Sequence, residues 1–200
     1  IFKCLKQNHK SRLFFAGAGT SARIAVQDAV ELYPTFGWPK ERIAFMIAGG
    51  EKAILSSVEG AEDNTMYAHT VGKELKVSKS DILIALAASG NTPFTLECIR
   101  YFKEKKALTF AISNNKKGKM LKIANNSLLL DTGYEMIAGS TRLKAATAQK
   151  ICLNIISSML MTKLGFVKNG LMTHFIPSNK KLILRKKNFL KLTNETGNQT

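Results

Sequence analysis

Negative charge is scarce in this chain, which has 14 Asp and Glu against 30 Lys and Arg, a formal charge of +16 over 200 residues. The shortage is greatest from Met136 onward, where Glu195 is the single acid among eleven Lys and Arg. Such an imbalance raises the possibility of a polyanion partner. The basic residues there are mostly lysines in an Asn- and Ile-rich background, with only Phe166, Phe175 and Phe189 as aromatics. A solvated basic surface is therefore favoured over a nucleic-acid face. Cysteine is sparse too: Cys4, Cys98 and Cys152 show no CxxC spacing and give no disulfide framework or zinc site. His9, His69 and His174 likewise lack metal-ligand spacing, so no metal and no redox cofactor is expected. No apolar run approaches the roughly 18 residues of a membrane span. The opening IFKCLKQNHKSR has no signal-like apolar segment, and Ile1 in place of Met is read as a truncated start. A cytoplasmic location is the expectation, and the three Asn-x-Ser/Thr matches at Asn125, Asn194 and Asn198 are then chance.

What the chain does have is 45% hydrophobic residues, enough for one domain with a substantial core. Short apolar runs recur at 12–16, 42–48, 81–88, 108–113 and 126–130, each the length of a buried strand. Helix-compatible stretches lie between them at 22–33, 52–58, 66–76, 93–105 and 119–124, and a longer one spans 140–165 with Gly165 as its stop. This alternation predicts an α/β fold, a doubly wound parallel sheet flanked by helices. The breadth of the apolar surface on 140–165 points to burial on several sides, with a second subunit as one candidate cover. One domain is expected over residues 1–175. Residues 176–200 form a basic C-terminal extension, read as the start of further helices, with a charged helix over 178–191.

Two small-residue loops follow strands. "GAGTS" at 17–21 and "ASGNT" at 88–92 combine glycines, which allow tight turns, with hydroxyls and backbone N–H groups at a helix start. In a doubly wound sheet both loops lie at the carboxyl edge, where ligands collect, and an anion such as phosphate suits them. The plainer alternative makes Ser21 and Thr92 helix caps and the glycines turn residues. The first loop also fits G-x-G-x-x-A, but the acid such a dinucleotide site requires has only Glu51 as a candidate. Acids carry weight in so basic a chain: Asp28 and Glu31 are three apart on one helix face, and Glu59, Glu62 and Asp63 cluster in "VEGAEDN".

The run "FAGAGTSARIAVQDAVELYPTFG", then "IAGGEKAILSSVEGAEDN", "ALAASGNTP" and "GSTRLKAATAQKICLNIISSMLMTKLG" resembles the N-acetylmuramic acid 6-phosphate etherases of the sugar isomerase (SIS) superfamily, from residue 12 to about 172. The resemblance implies a flavodoxin-like three-layer sandwich and a cytoplasmic homodimer without cofactor. It implies cleavage of the D-lactyl ether of N-acetylmuramic acid 6-phosphate to N-acetylglucosamine 6-phosphate and D-lactate. By the same resemblance Glu31, in "DAVE", protonates the leaving oxygen and activates water, and Glu62, in "EGAED", is the C2 base. Thr20, Ser21, Ser89, Gly90, Asn91 and Thr92 bind the sugar phosphate. An acid and a base are needed at the same moment, so the two carboxylates must sit in different environments. The chain departs from the family at Ala22, where glycine is usual, at Asn91, where arginine is usual, at Leu32 and Tyr33, and at Ala146. These departures keep a non-catalytic sugar-phosphate regulator, similar to glucokinase regulatory protein, as the alternative.

Overall fold

A computed structural model describes residues 1–177 and 179–197, so Ser178 and the last Asn-x-Thr match, at 198–200, lie outside the described residues. Five parallel strands, β1 (Leu13–Gly17), β2 (Ile43–Ile47), β3 (Ile82–Leu86), β4 (Leu108–Ser113) and β5 (Asn126–Leu129), form one sheet in the order β2-β1-β3-β4-β5. Each strand lies on an apolar run; for the inner strands this is because a parallel strand buried on both faces has no polar face to show in its sequence, whereas β5, at the sheet's edge, is exposed along its length. β1 and β3 are buried along their full length. Their register pairs Phe15 with Ile84 and Gly17 with Leu86. The doubly wound sheet expected from the sequence is the observed one.

The pleat divides the core into two halves. One face carries Phe14, Ala16, Met46, Leu83, Ala85 and Ala111 against helices α5 (Thr65–Glu74) and α6 (Pro93–Glu104). There the rings of Phe14 and Phe102 meet edge-on at 5.0 Å. The opposite face carries Leu13, Phe15, Ile82, Ile84, Leu86 and Ile112. It packs on α1 (Phe2–Gln7), α2 (Gly19–Val30) and the 20-residue α8 (Lys144–Lys163). β1 therefore feeds a helix on one face and β3 a helix on the other. Their loops part at the carboxyl edge of two neighbouring strands, and this divergence opens a crevice there.

The far end of the same two strands is locked by charge. Arg12 grips Asp81 with Nε on Oδ1 at 3.0 Å and Nη2 on Oδ2 at 2.7 Å, and its guanidinium also donates to the carbonyls of Leu75 and Lys76. Asp81 is 1% exposed and takes two further bonds, from the Ser78 amide and hydroxyl.

Several boundaries differ from the sequence reading. The stretch at 22–33 is two helices, α2 and α3 (Leu32–Phe36), and α2 begins three residues earlier than expected. α8 starts at Lys144 rather than 140, leaving 136–143 as an irregular loop, and it ends before Gly165 at φ 90° as expected. Its own Ala145, Cys152, Leu153, Leu160 and Met161 are buried on one side, while Ile151, Ile155 and Met159 stand exposed on another stripe. α1, the short α4 (Lys52–Leu55) and α7 (Met120–Ile123), a hairpin of β6 (Val167–Lys168) with β7 (Leu171–Met172), and α9 (Lys180–Gly197) complete the chain. Among the described residues no helix is long and apolar enough to cross a membrane.

Candidate active site

The crevice between the β1–α2 and β3–α6 loops is a cleft of about 480 Å³. Thr20 and Ser21 reach it from the first loop, Ser89 and Thr92 from the second, and Glu62 from a short 3-10 turn before α5. Both helices arrive uncapped. The N-cap of α2 is Ala18, which has no side-chain acceptor, and Thr92 at the start of α6 makes no capping bond. First-turn N–H groups are thus left unsatisfied by side chains at two helix ends that open on one cleft, an arrangement suited to an anion. The reading of Ser21 and Thr92 as simple side-chain caps does not hold, because α2 begins earlier and Thr92 caps with its backbone alone.

Glu62 is exposed and lies against the start of α2: a Cβ added at Gly19, whose φ is 53°, would stand 3.5 Å from Glu62 Oε1. The carboxylate therefore approaches bare backbone; a Cβ at Gly19 would meet it at ordinary contact distance, and the cost of a side chain there is the strain of the positive φ. Glu31 is elsewhere. It is the C-cap residue of α2, exposed, and absent from the lining of the cleft. At 1.5 Å per residue the twelve steps from Gly19 put it roughly 18 Å along the helix axis. Nor does it share an environment with Asp28, which is 4% exposed and accepts bonds from Lys150 Nζ at 3.1 Å and Asn154 Nδ2 at 2.7 Å on α8. The single chain does not bring Glu31 and Glu62 together.

Gly90 and Asn91 shape the second loop without lining the cleft. Gly90 has φ 67°, and a Cβ there would come within 2.6 Å of Gly118 Cα and of Ser113 Oγ. Asn91 donates to the Ser89 carbonyl at 3.1 Å and accepts from the Lys119 amide at 3.0 Å, so it ties the loop to the start of α7. Ala22 is buried against Ile47 and Ala53, and its extra methyl fills space between α2 and β2 rather than the ligand space.

Residues the sequence did not single out complete the lining: Arg23, Ser56, Ser57 and Thr141. The serines follow α4 and stand on the same segment as Glu62; a second hydroxyl pair shortly before "EGAED" was the available signal. Thr141 belongs to the 136–143 loop, which is held by Glu135. The Glu135 carboxylate accepts from the Ala145 and Lys144 amides, both at 2.9 Å, at the start of α8. The bond from Ala145, then that from Lys144 and its charge, hold Glu135 below the usual carboxylate range.

Residues 1–103 match the family described as the glucokinase regulatory protein N-terminal SIS domain. The chain is 48% identical over 171 residues to the N-acetylmuramic acid 6-phosphate etherase of Deinococcus radiodurans, covering 86% of this chain and 56% of that protein. It is 45% identical over 174 residues to the etherase of Lactobacillus johnsonii, covering 87% and 58%. It thus spans little more than half the length of these relatives. Among solved structures, the phosphoheptose isomerase of Neisseria gonorrhoeae superposes with a TM-score of 0.56 at 16% identity, over 80% of this chain and 80% of that one. That likeness shows the same fold, and the resemblance to the etherases read from the sequence is borne out.

Proposed function

Because the chain belongs to the family described as the glucokinase regulatory protein N-terminal SIS domain, and is so similar to etherases over most of its length, we propose that it binds an amino-sugar phosphate in the crevice between β1 and β3. We propose further that it cleaves the D-lactyl ether of N-acetylmuramic acid 6-phosphate. The observation that carries this reading is the meeting of one carboxylate, Glu62, with two uncapped helix ends and the hydroxyls of Thr20, Ser21, Ser89 and Thr92 in a single cleft.

The chemistry follows from that grouping. The open-chain sugar has an aldehyde that acidifies the C2 proton, and Glu62 removes it. The C3–O bond then breaks, and lactate leaves with the ether oxygen, protonated by a general acid. Water adds at C3 of the unsaturated intermediate, restoring a proton at C2, to give N-acetylglucosamine 6-phosphate. Glu31 is the proposed acid. Since it stands outside the cleft of its own chain, that role requires a second copy to deliver it, in the homodimer the family resemblance implies. No step calls for a cofactor.

The family description itself favours a second reading, a sugar-phosphate regulator that binds without turnover. One experiment separates the two. Full-length protein is incubated with N-acetylmuramic acid 6-phosphate and D-lactate is followed by a coupled dehydrogenase. Release of D-lactate is the expected result; binding of the sugar phosphate with no release gives the regulator.

A further inference from the structure

Under the functional reading above, on which this inference rests, the substrate carries two anions, a phosphate on C6 and the carboxylate of the lactyl group on C3. Among the described residues lining the cleft, Arg23 is the one cation and Glu62 the one acid. Arg23 is half-buried, and its guanidinium is fixed in place before any ligand arrives. Nε donates to the carbonyls of Ala53 and Ile54, both at 3.1 Å, and Nη2 to that of Ser56 at 3.3 Å. These bonds leave Nη1 with no acceptor among the described residues.

The segment that Arg23 grips leads through Ser57 and Val58 to Glu62, so cation and carboxylate belong to one wall of the cleft. In the substrate the C2 proton and the C3 ether are on adjacent carbons. The lactyl carboxylate is one carbon beyond the ether oxygen, while the phosphate is three carbons away along the open chain. A wall that meets the C2 proton through Glu62 therefore also meets the lactyl carboxylate. The phosphate, three carbons further along, falls to the other loop, at Ser89, Thr92 and the start of α6. We infer that Arg23 binds the lactyl carboxylate and is the residue by which the cleft distinguishes the lactyl ether from a sugar phosphate lacking it. A preorganised guanidinium suits a planar carboxylate, and its fixed position limits the entropy lost on binding.

The test uses full-length protein carrying Glu62→Gln to silence turnover, titrated by calorimetry with N-acetylmuramic acid 6-phosphate and with N-acetylglucosamine 6-phosphate. Adding Arg23→Gln should raise Kd for the lactyl ether roughly 10- to 100-fold. It should leave Kd for the lactyl-free sugar within about twofold, the size of effect expected for a contact that ligand does not make. Equal weakening of both ligands, the mark of a purely structural clamp, or no change in either, overturns the assignment. A measurement that needs no Arg23 variant compares the free lactyl acid with its carboxamide on the Glu62→Gln protein. The carboxamide should bind roughly 10- to 100-fold more weakly; equal affinities overturn the assignment. Equal affinities in a protein whose unsubstituted form releases D-lactate overturn the role of Arg23 alone. Unsubstituted protein that neither binds either sugar phosphate nor releases D-lactate overturns the functional reading with it.

Discussion

At the scale of single residues, the chemistry falls on positions whose neighbours are backbone rather than side chains. Glu62 faces Gly19, and Arg23 holds three carbonyls. Gly90→Ala meets both a left-handed φ and a 2.6 Å approach to Gly118 and Ser113. It should destabilise the fold by about 1–3 kcal/mol in urea unfolding, and weaken sugar-phosphate binding as the loop carrying Ser89 shifts. Asp81 lies at the opposite end of the strands. Asp81→Ala takes the carboxylate from Arg12, which keeps only the Leu75 and Lys76 carbonyls, and removes the acceptor of the Ser78 amide and hydroxyl, a change expected to cost about 1–3 kcal/mol of stability by denaturant titration. Cys98 is fully buried and its thiol is pushed well above the ordinary range by burial, then by the Glu97 charge. It should resist iodoacetamide in the native protein and react once the protein is unfolded.

Among elements, legibility in the sequence followed the strength of the pattern. β1 and β3 were readable because a two-sided burial leaves unbroken apolar runs, the exposed edge strand β5 only through Leu128 and Leu129, and the helix at 93–104 because Pro93 marks its first turn. α1 escaped notice since six residues give no period; only Leu5 is buried, with Phe2 and Cys4 packed half-exposed. The β6–β7 hairpin did carry a signal, Asn169-Gly170, whose φ values of 50° and 75° are those of a tight hairpin turn, but two-residue strands offered no alternation to frame it. The start of α8 was placed four residues early because Glu135, nine residues upstream, supplies its cap from outside the local sequence. That cap is pH-dependent. The folded carboxyl is held below its unfolded value, so its contribution is present above the unfolded pKa and is lost as pH falls through the folded one. Glu135→Ala should lower Tm at pH 7, and the difference from the unsubstituted protein should shrink to nothing as the solution is acidified below the carboxylate range.

Over the whole molecule, the cleft was half legible. The two hydroxyl loops were visible as strings of small residues, and their convergence followed from the order β2-β1-β3-β4-β5, which sends α2 and α6 to opposite faces. Ser56, Ser57 and Thr141 were not visible, because they enter the cleft through tertiary placement of the segment after α4 and of the 136–143 loop; Arg23 sits on α2 two residues past Ser21, and its place in the wall depends on the distant carbonyls of Ala53, Ile54 and Ser56 that hold it. The position of Glu31 is the largest departure: a residue far along α2 from the cleft can act there only if another chain presents it. Mixing the Glu31→Gln and Glu62→Gln proteins under conditions that allow any subunits to exchange should then restore part of the D-lactate release that each lacks alone. The most direct measurement of the elimination itself is the reaction run in ¹⁸O-water with N-acetylmuramic acid 6-phosphate, both products being analysed by mass spectrometry. The account predicts one ¹⁸O in the C3 hydroxyl of the amino-sugar phosphate and none in lactate, with no reaction in Glu62→Gln; label in lactate instead would contradict cleavage of the C3–O bond.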